Sequence, residues 1–123
     1  MFSDALLDHF QHPRNVGELP GASARVEVSN PVCGDILQFA AILDNHRMRE
    51  ARFLCRGCAA SIASASLLTE LIQGKELSEL DTIGPESLAQ SLGGLPPASF
   101  HAAQLAVDAL QSLLRQLRQK SRS

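Results

Sequence analysis

The chain opens on a helical pattern. In DALLDHFQ (residues 4–11) the apolar Leu6, Leu7 and Phe10 recur at helical spacing, Ser3 stands at the N-cap position and Pro13 closes the segment. After a loop, PRNVGELPGA, the period changes to two. ARVEVSN reads as one strand, ILQFAAIL as a second and more buried one, DNHR as a turn and MREARFLC as a third strand, which together predict an antiparallel meander. From Ala59 the pattern is helical again: AASIASASLLTELIQG begins with small residues, continues with leucines and ends at Gly74, the residue type favoured just past a helix C-terminus. Short helical pieces are expected at SELDTI and PESLAQSL. Gly93, Gly94, Pro96 and Pro97 then break the chain before a long helix capped by Ser99, with Leu105, Leu110, Leu113, Leu114 and Leu117 as its apolar stripe. Strands first and helices afterwards predict an α+β fold: a small three-stranded antiparallel sheet, helices packed on one face, and a long C-terminal helix.

Composition narrows this picture. A chain of 123 residues is expected to form a single domain (1–123), and with 45% hydrophobic residues, 4% aromatic and neither Trp nor Tyr its core must be aliphatic. The formal net charge of −2 gives no basic field able to hold a polyanion, so nucleic acid is not an expected partner. The basic stretch from Arg115 to Arg122, a tail from about residue 118, reads as a frayed, solvated helix end. No run is long enough to cross a bilayer and the N-terminus carries acids where a signal peptide carries Lys or Arg, which predicts a cytoplasmic protein. Three cysteines in such a chain argue for reduced thiols, not a disulfide framework.

Candidate chemistry gathers at element boundaries. Cys33 and Asp35 flank Gly34 in the turn PVCGD, Cys58 follows Gly57 at a strand-to-helix junction, and His101 lies in the first turn of the last helix. A helix start favours a thiolate at Cys58 and a neutral, ligating imidazole at His101. If these positions converge, Cys33, Asp35, Cys58 and His101 form a tetrahedral set suited to zinc or iron. The rival pattern is CRGC, Cys55 to Cys58, but Cys55 alternates with Phe53 as a strand residue and no second CxxC completes a zinc ribbon, so Cys55 reads as packing. His9, His12 and His46 read as surface or capping residues, and Ala59, Ala60, Ser61 and Ser64 as small residues that admit the last helix closely.

The stretches FSDALLDHFQHPRNVG, PVCGD, ARFLCRGCAASIASASLLTELIQGK and LPPASFHAAQLAVDAL, in this order, resemble the NifU/IscU-type iron-sulfur cluster assembly scaffolds over about residues 2–118. The resemblance implies a non-enzymatic scaffold or carrier that holds a labile [2Fe-2S] cluster, built from iron and desulfurase-derived sulfur, for transfer to client proteins. Its ligands would be Cys33, Asp35, Cys58 and His101, with zinc possible in their place. Expected partners are a cysteine desulfurase and iron-sulfur client or carrier proteins, with no membrane and a monomeric or weakly dimeric state. The compact spacing from Cys58 to His101 is similar to the IscU branch and unlike the zinc-dependent sulfur-acceptor branch. Two departures stand out: Ala102 occupies the place of the family's third cysteine, and the chaperone-recognition segment LPPVK reads LPPAS at residues 95–99, which removes the ground for expecting an Hsp70-type chaperone. Arg14 and Asn15 match family positions near the desulfurase contact, and equally suit a loop-ordering role. Two alternatives follow: a zinc-dependent persulfide acceptor working through Cys58 or Cys33, and a divergent regulator that binds the desulfurase without building clusters.

Overall fold

A computed structural model describes residues 2–31 and 34–121. Helix α1 (Asp4–Gln11) begins at Ser3, whose side chain accepts from the Leu6 N–H as an N-cap should. Of its apolar residues Leu6 is fully buried, but Leu7 and Phe10 are 37% and 40% exposed. The inward position one turn after Leu6 is taken instead by His9, which the sequence placed at the surface.

Strands β1 (Ala24–Asn30), β2 (Asp35–Asp44) and β3 (Arg47–Arg56) form the antiparallel sheet β1-β2-β3. The expected turn between β2 and β3 tightens to two residues, Asn45 and His46, with φ of 55° and 66°. Positive φ at both central positions gives the backbone twist that two-residue hairpins favour. The inward rows of the sheet are Ala24–Ala41–Ala51, Val26–Phe39–Phe53 and Val28–Leu37–Cys55. Met48 and Ala51 are three residues apart yet both fully buried, which strict alternation forbids. A register shift between Ile42 and Leu43 resolves the conflict by inserting an extra β3 residue, so that both sides of the irregularity keep their apolar face inward. The outer edge of β3 is covered in turn by the chain on either side of it. Gly17 N–H donates to Phe53 O (2.9 Å), Phe53 N–H to Asn15 O (3.0 Å) and Met48 N–H to Lys75 O (2.8 Å), leaving little edge to template association.

Helix α2 (Ala59–Ile72) is buried almost all round, with Ala60, Ala63, Ser64, Ala65, Leu68 and Ile72 excluded from solvent. It lies between β3, α1 and the long helix α4 (Phe100–Ser121), and only small side chains over its first turns permit that crowding. Gly74 takes a left-handed φ of 83° just beyond the helix, as its position in the sequence implied. A 3₁₀ turn over Leu77–Thr82, the short helix α3 (Pro85–Ser91) and a second 3₁₀ turn over Pro97–Ser99 lead into α4. The leucines foreseen as the α4 stripe are all buried. Helices α2 and α4 pack on the sheet, while α1 packs on α2 and α3 on α4.

The C-terminal stretch departs from expectation. It stays helical through Ser121, Arg118 donates to Asp81 (2.8 Å) and to the Leu77 carbonyl (3.4 Å), and the Lys120 ammonium donates to the Ser23 carbonyl. These bonds anchor α4 to the 3₁₀ turn and to the start of β1, so Arg118 and Lys120 belong to a fastened helix end; Arg122 lies outside the described residues. Among the described residues no helix is long and apolar enough to cross a membrane.

Packing of α1 on α2 is polar at its centre. His9 Nε2 faces the Glu70 carboxylate at 3.4 Å, which can only accept, so the neutral ring carries hydrogen on Nε2 and its Nδ1 accepts from Ser66 Oγ (2.8 Å), the oxygen that itself accepts the Arg14 backbone N–H (2.9 Å). Asn15 Nδ2 donates to Thr69 Oγ1 (3.0 Å) and Arg14 pairs with Asp8 (2.6 Å), which gives PRN the loop-ordering role. Burial, helped by the Arg14 charge and opposed by Glu70 and Asp8, holds the His9 pKa below its ordinary value. The folded state therefore binds this proton less readily than the unfolded chain, and the contribution is present above the unfolded value near 6.5 and lost as pH falls below it. The melting temperature is expected to fall as pH is lowered from 7.5 to 5.5. In His9→Gln, which cannot titrate, this part of the drop disappears; equal slopes in the two proteins exclude the linkage.

Candidate metal centre

The pairing of β2 with β3 builds one wall of the site. Ile36 faces Arg56 across the ladder, so Asp35 at the start of β2 meets the chain as it leaves β3 through Gly57. The turn before Asp35 needs Gly34 at a left-handed φ of 75°, with its N–H donating to Asn30 O (2.7 Å). A Cβ at residue 57 would lie 2.8 Å from Asp35 Cγ and 2.9 Å from Oδ1. Glycine is therefore required there for the carboxylate to sit where it does, almost fully buried.

Cys58 is the N-cap of α2, with its thiol exposed and no capping bond to the helix. Its Sγ donates toward Asp35 Oδ2 at 3.6 Å. His101, the second residue of α4, brings Nε2 to 3.6 Å from the same oxygen. Its other nitrogen, Nδ1, is 3.1 Å from the Ala98 carbonyl, which can only accept; Nδ1 thus carries hydrogen and a neutral ring turns the Nε2 lone pair toward the carboxylate. Two electron pairs facing each other at that distance call for a cation between them, either a proton on Nε2 or a metal ion. One ligand atom from each of Asp35, Cys58 and His101 lies within 4.8 Å of the others. Three of the four residues singled out in the sequence are thus brought together from three separate elements. Cys33, the fourth, lies outside the described residues.

Cys55 takes no part in this group. It points inward on β3 beside the core, and burial, with lesser effects of Asp35 and Cys58, pushes its thiol up to about 11. Ala102 is fully buried in a small apolar cluster with Leu6, Ala60, Ala63 and Leu92, so the place of the third family cysteine is a packing position where α4 meets α2. His12 and His46 are exposed, as expected. In LPPAS, Leu95 packs against the core while the Pro97–Ser99 turn delivers the Ala98 carbonyl to His101.

Two contributors escaped sequence reasoning. Gly57 carries no sequence signal beyond its place before Cys58. Ser61, assigned to packing, has a buried hydroxyl that donates to Asp35 Oδ2 at 2.6 Å and lies 3.4 Å from Cys58 Sγ. Its signal in the sequence was its place three residues after Cys58, one helical turn along the same face.

Comparison with known proteins agrees with this architecture. The NifU-like N terminal domain model matches residues 1–123. The chain is 42% identical over 111 residues to the iron-sulfur cluster assembly scaffold protein IscU 1 of Archaeoglobus fulgidus, covering 90% of this chain and 72% of that protein. It is 37% identical over 123 residues to IscU of Haemophilus influenzae, also an iron-sulfur cluster assembly scaffold protein, covering 97% of each. The crystal structure of the N-terminal part of a NifU-like protein from Brucella abortus superposes with a TM-score of 0.80 at 18% identity, over 96% of this chain and 94% of that one, and shares the fold. The chain belongs to the NifU-like N-terminal domain family.

The environments of the two described thiols predict unequal reactivity. Desolvation pushes the Cys55 thiol up to about 11 and its partial burial adds a steric barrier, whereas Cys58 is open to solvent. Brief alkylation of the native protein, followed by tryptic mapping, is expected to label Cys58 and leave Cys55 intact. Equal labelling contradicts the placement of Cys55.

Proposed function

We propose that this chain is an iron-sulfur cluster assembly scaffold whose cargo, a [2Fe-2S] cluster or the metal from which it is made, is held by Cys33, Asp35, Cys58 and His101. The observation that carries the reading is the meeting of one carboxylate oxygen, one sulfur and one ring nitrogen from three elements within 4.8 Å. The scaffold role of its relatives supports the same reading. Thiolates bind iron through matched polarizability, while a carboxylate oxygen is a harder and more exchangeable ligand. A set of two thiolates, one carboxylate and one imidazole retains a cluster less firmly than four thiolates, which suits cargo that must leave. Zinc is accommodated by the same donors.

Sulfur would come from a cysteine desulfurase. With Ala102 in place of the third family cysteine and the Cys55 thiol half-buried and pushed up to about 11 by desolvation, the thiols left to receive it are Cys58 and Cys33. Iron-sulfur client or carrier proteins would take the finished cluster. The protein does this by binding and release, and needs no catalytic residue of its own.

The test is anaerobic reconstitution with ferrous iron and sulfide, followed by visible absorption. The wild-type chain is expected to give a sulfide-to-iron charge-transfer spectrum. Cys58→Ala and His101→Ala should fail to retain it through desalting. Asp35→Cys, which replaces the exchangeable oxygen by a fourth soft ligand, should lengthen the decay in excess chelator about tenfold or more. A wild-type chain that takes up no cluster, or an Asp35→Cys cluster lost as fast as the wild type's, overturns the reading.

A further inference from the structure

The oxygen of Asp35 that faces the other two ligand atoms is the one already engaged by a neighbour inside the protein. Ser61 Oγ donates to Asp35 Oδ2 at 2.6 Å, while Cys58 Sγ and His101 Nε2 each stand 3.6 Å from that same atom. Ser61 is 2% exposed and sits on α2 one turn beyond Cys58, and Asp35 is 5% exposed, so water does not compete freely for this bond. A Cβ at residue 57 would lie 2.8 Å from Asp35 Cγ and 2.9 Å from Oδ1, so only glycine there leaves the carboxylate room to turn Oδ2 toward Ser61, Cys58 and His101.

We propose that Ser61 is a positioning residue that sets how readily Asp35 lets go of the metal: its hydroxyl competes with the bound ion for Oδ2 and captures the carboxylate as the cargo leaves. The inference rests on the scaffold reading above and deepens it. A carboxylate oxygen has two lone-pair directions, so the hydroxyl and the metal can share Oδ2, but the hydrogen bond withdraws charge from the oxygen and weakens its bond to the ion. In the release step one metal–oxygen bond breaks and the existing O–H···O bond shortens to take up the freed charge. No electron is transferred and the hydroxyl proton stays on Ser61. Without that donor the departing carboxylate would be a buried anion with a lost partner, a costly intermediate.

The geometry fits the role for two reasons. The donor belongs to the same helix turn as Cys58, so it remains beside the site while Asp35, on a different element, is the group that exchanges. A hydroxyl is neutral in both states and changes only its sharing of Oδ2, which makes it an adjustable partner where a lysine or arginine would hold the carboxylate permanently.

The experiment compares wild type, Ser61→Ala and Ser61→Thr, each also in the Asp35→Cys background, after anaerobic reconstitution with ferrous iron and sulfide. Decay of the visible spectrum in excess chelator gives the lifetime, and circular dichroism melting checks the fold. Loss of about half the value of a charge-assisted hydrogen bond in the release step corresponds to a lifetime about threefold to tenfold longer in Ser61→Ala. Ser61→Thr, which restores the hydroxyl, should return toward the wild-type rate. In the Asp35→Cys background Ser61→Ala should change nothing further, a result that a general packing defect would not give. Equal or faster decay of Ser61→Ala overturns the proposal while leaving the scaffold reading intact. So does a slow decay that persists without Asp35, or a Ser61→Thr protein as slow as Ser61→Ala. A wild-type chain that loads no cluster overturns both.

Discussion

The register of β2 against β3 is the constraint on which the site depends. It pairs Ile36 with Arg56, and so carries Asp35 to the point where the chain turns through Gly57 into α2. A slip of one residue would reverse the faces of the strand, expel Phe39 and Leu37 from the core and move the carboxylate away from the helix start. Two local devices hold the register: the left-handed Asn45-His46 turn at one end of the hairpin and the irregularity at Ile42/Leu43 that keeps Met48 and Ala51 on one side. The apolar rows then lock it, since each inward residue of β2 meets an inward residue of β3. The placement of Asp35 is thus a consequence of core packing more than 10 Å long, by strand rise, and not of the PVCGD turn alone.

The second wall of the site depends on size. Helix α2 must be approached by α1, β3 and α4, and its run of alanines and serines provides the room. Ala60, Ala63 and Ala102 are all fully buried where α2 and α4 meet. Close approach of those helices sets His101 beside the start of α2, with the preceding 3₁₀ turn supplying a carbonyl that fixes its tautomer. The same packing explains why Ala102 cannot be read as a ligand position emptied of sulfur and otherwise unchanged. Its side chain belongs to an apolar cluster, one helix position and about 100° round from His101.

These features were unequally legible in the sequence. Period and punctuation revealed every strand and the main helices, because the hydrophobic alternation of β2 and β3 and the signals at Ser3, Pro13 and Gly74 are local properties of the chain. The grouping of Asp35, Cys58 and His101 could be anticipated because their residue types stand at element ends, but only the three-dimensional packing brings them within 4.8 Å. His9 was misread because Leu7 and Phe10 offered a more apolar face for α1. The partners that decide otherwise, Ser66 and Glu70, lie more than fifty residues away. The basic C-terminal residues were misread for the same reason, since Asp81 and the carbonyls of Leu77 and Ser23 are nowhere near them in sequence. Ser61 was legible as a small residue and not as a donor, because nothing local says that a carboxylate will arrive from β2.

A carrier must satisfy two opposed requirements, and the residues around this site divide them. On the proposed assignment, retention would fall to soft and directional ligands, the Cys58 sulfur and an imidazole whose tautomer is fixed by Ala98. Release would fall to the one hard donor, Asp35, which is almost fully buried and keeps Ser61 as a partner. Cys55, a few residues away in the chain, lies half-buried with its side chain packed against the core and is not among the three grouped donors. Recruiting it as a further thiolate would cost the desolvation that raises its pKa, so the proposed ligand set would stay mixed and its cargo exchangeable. On that reading exchangeability would be built by exclusion as well as by choice: the fold presents a hard oxygen beside Cys58 and His101 and keeps the Cys55 sulfur turned toward the core.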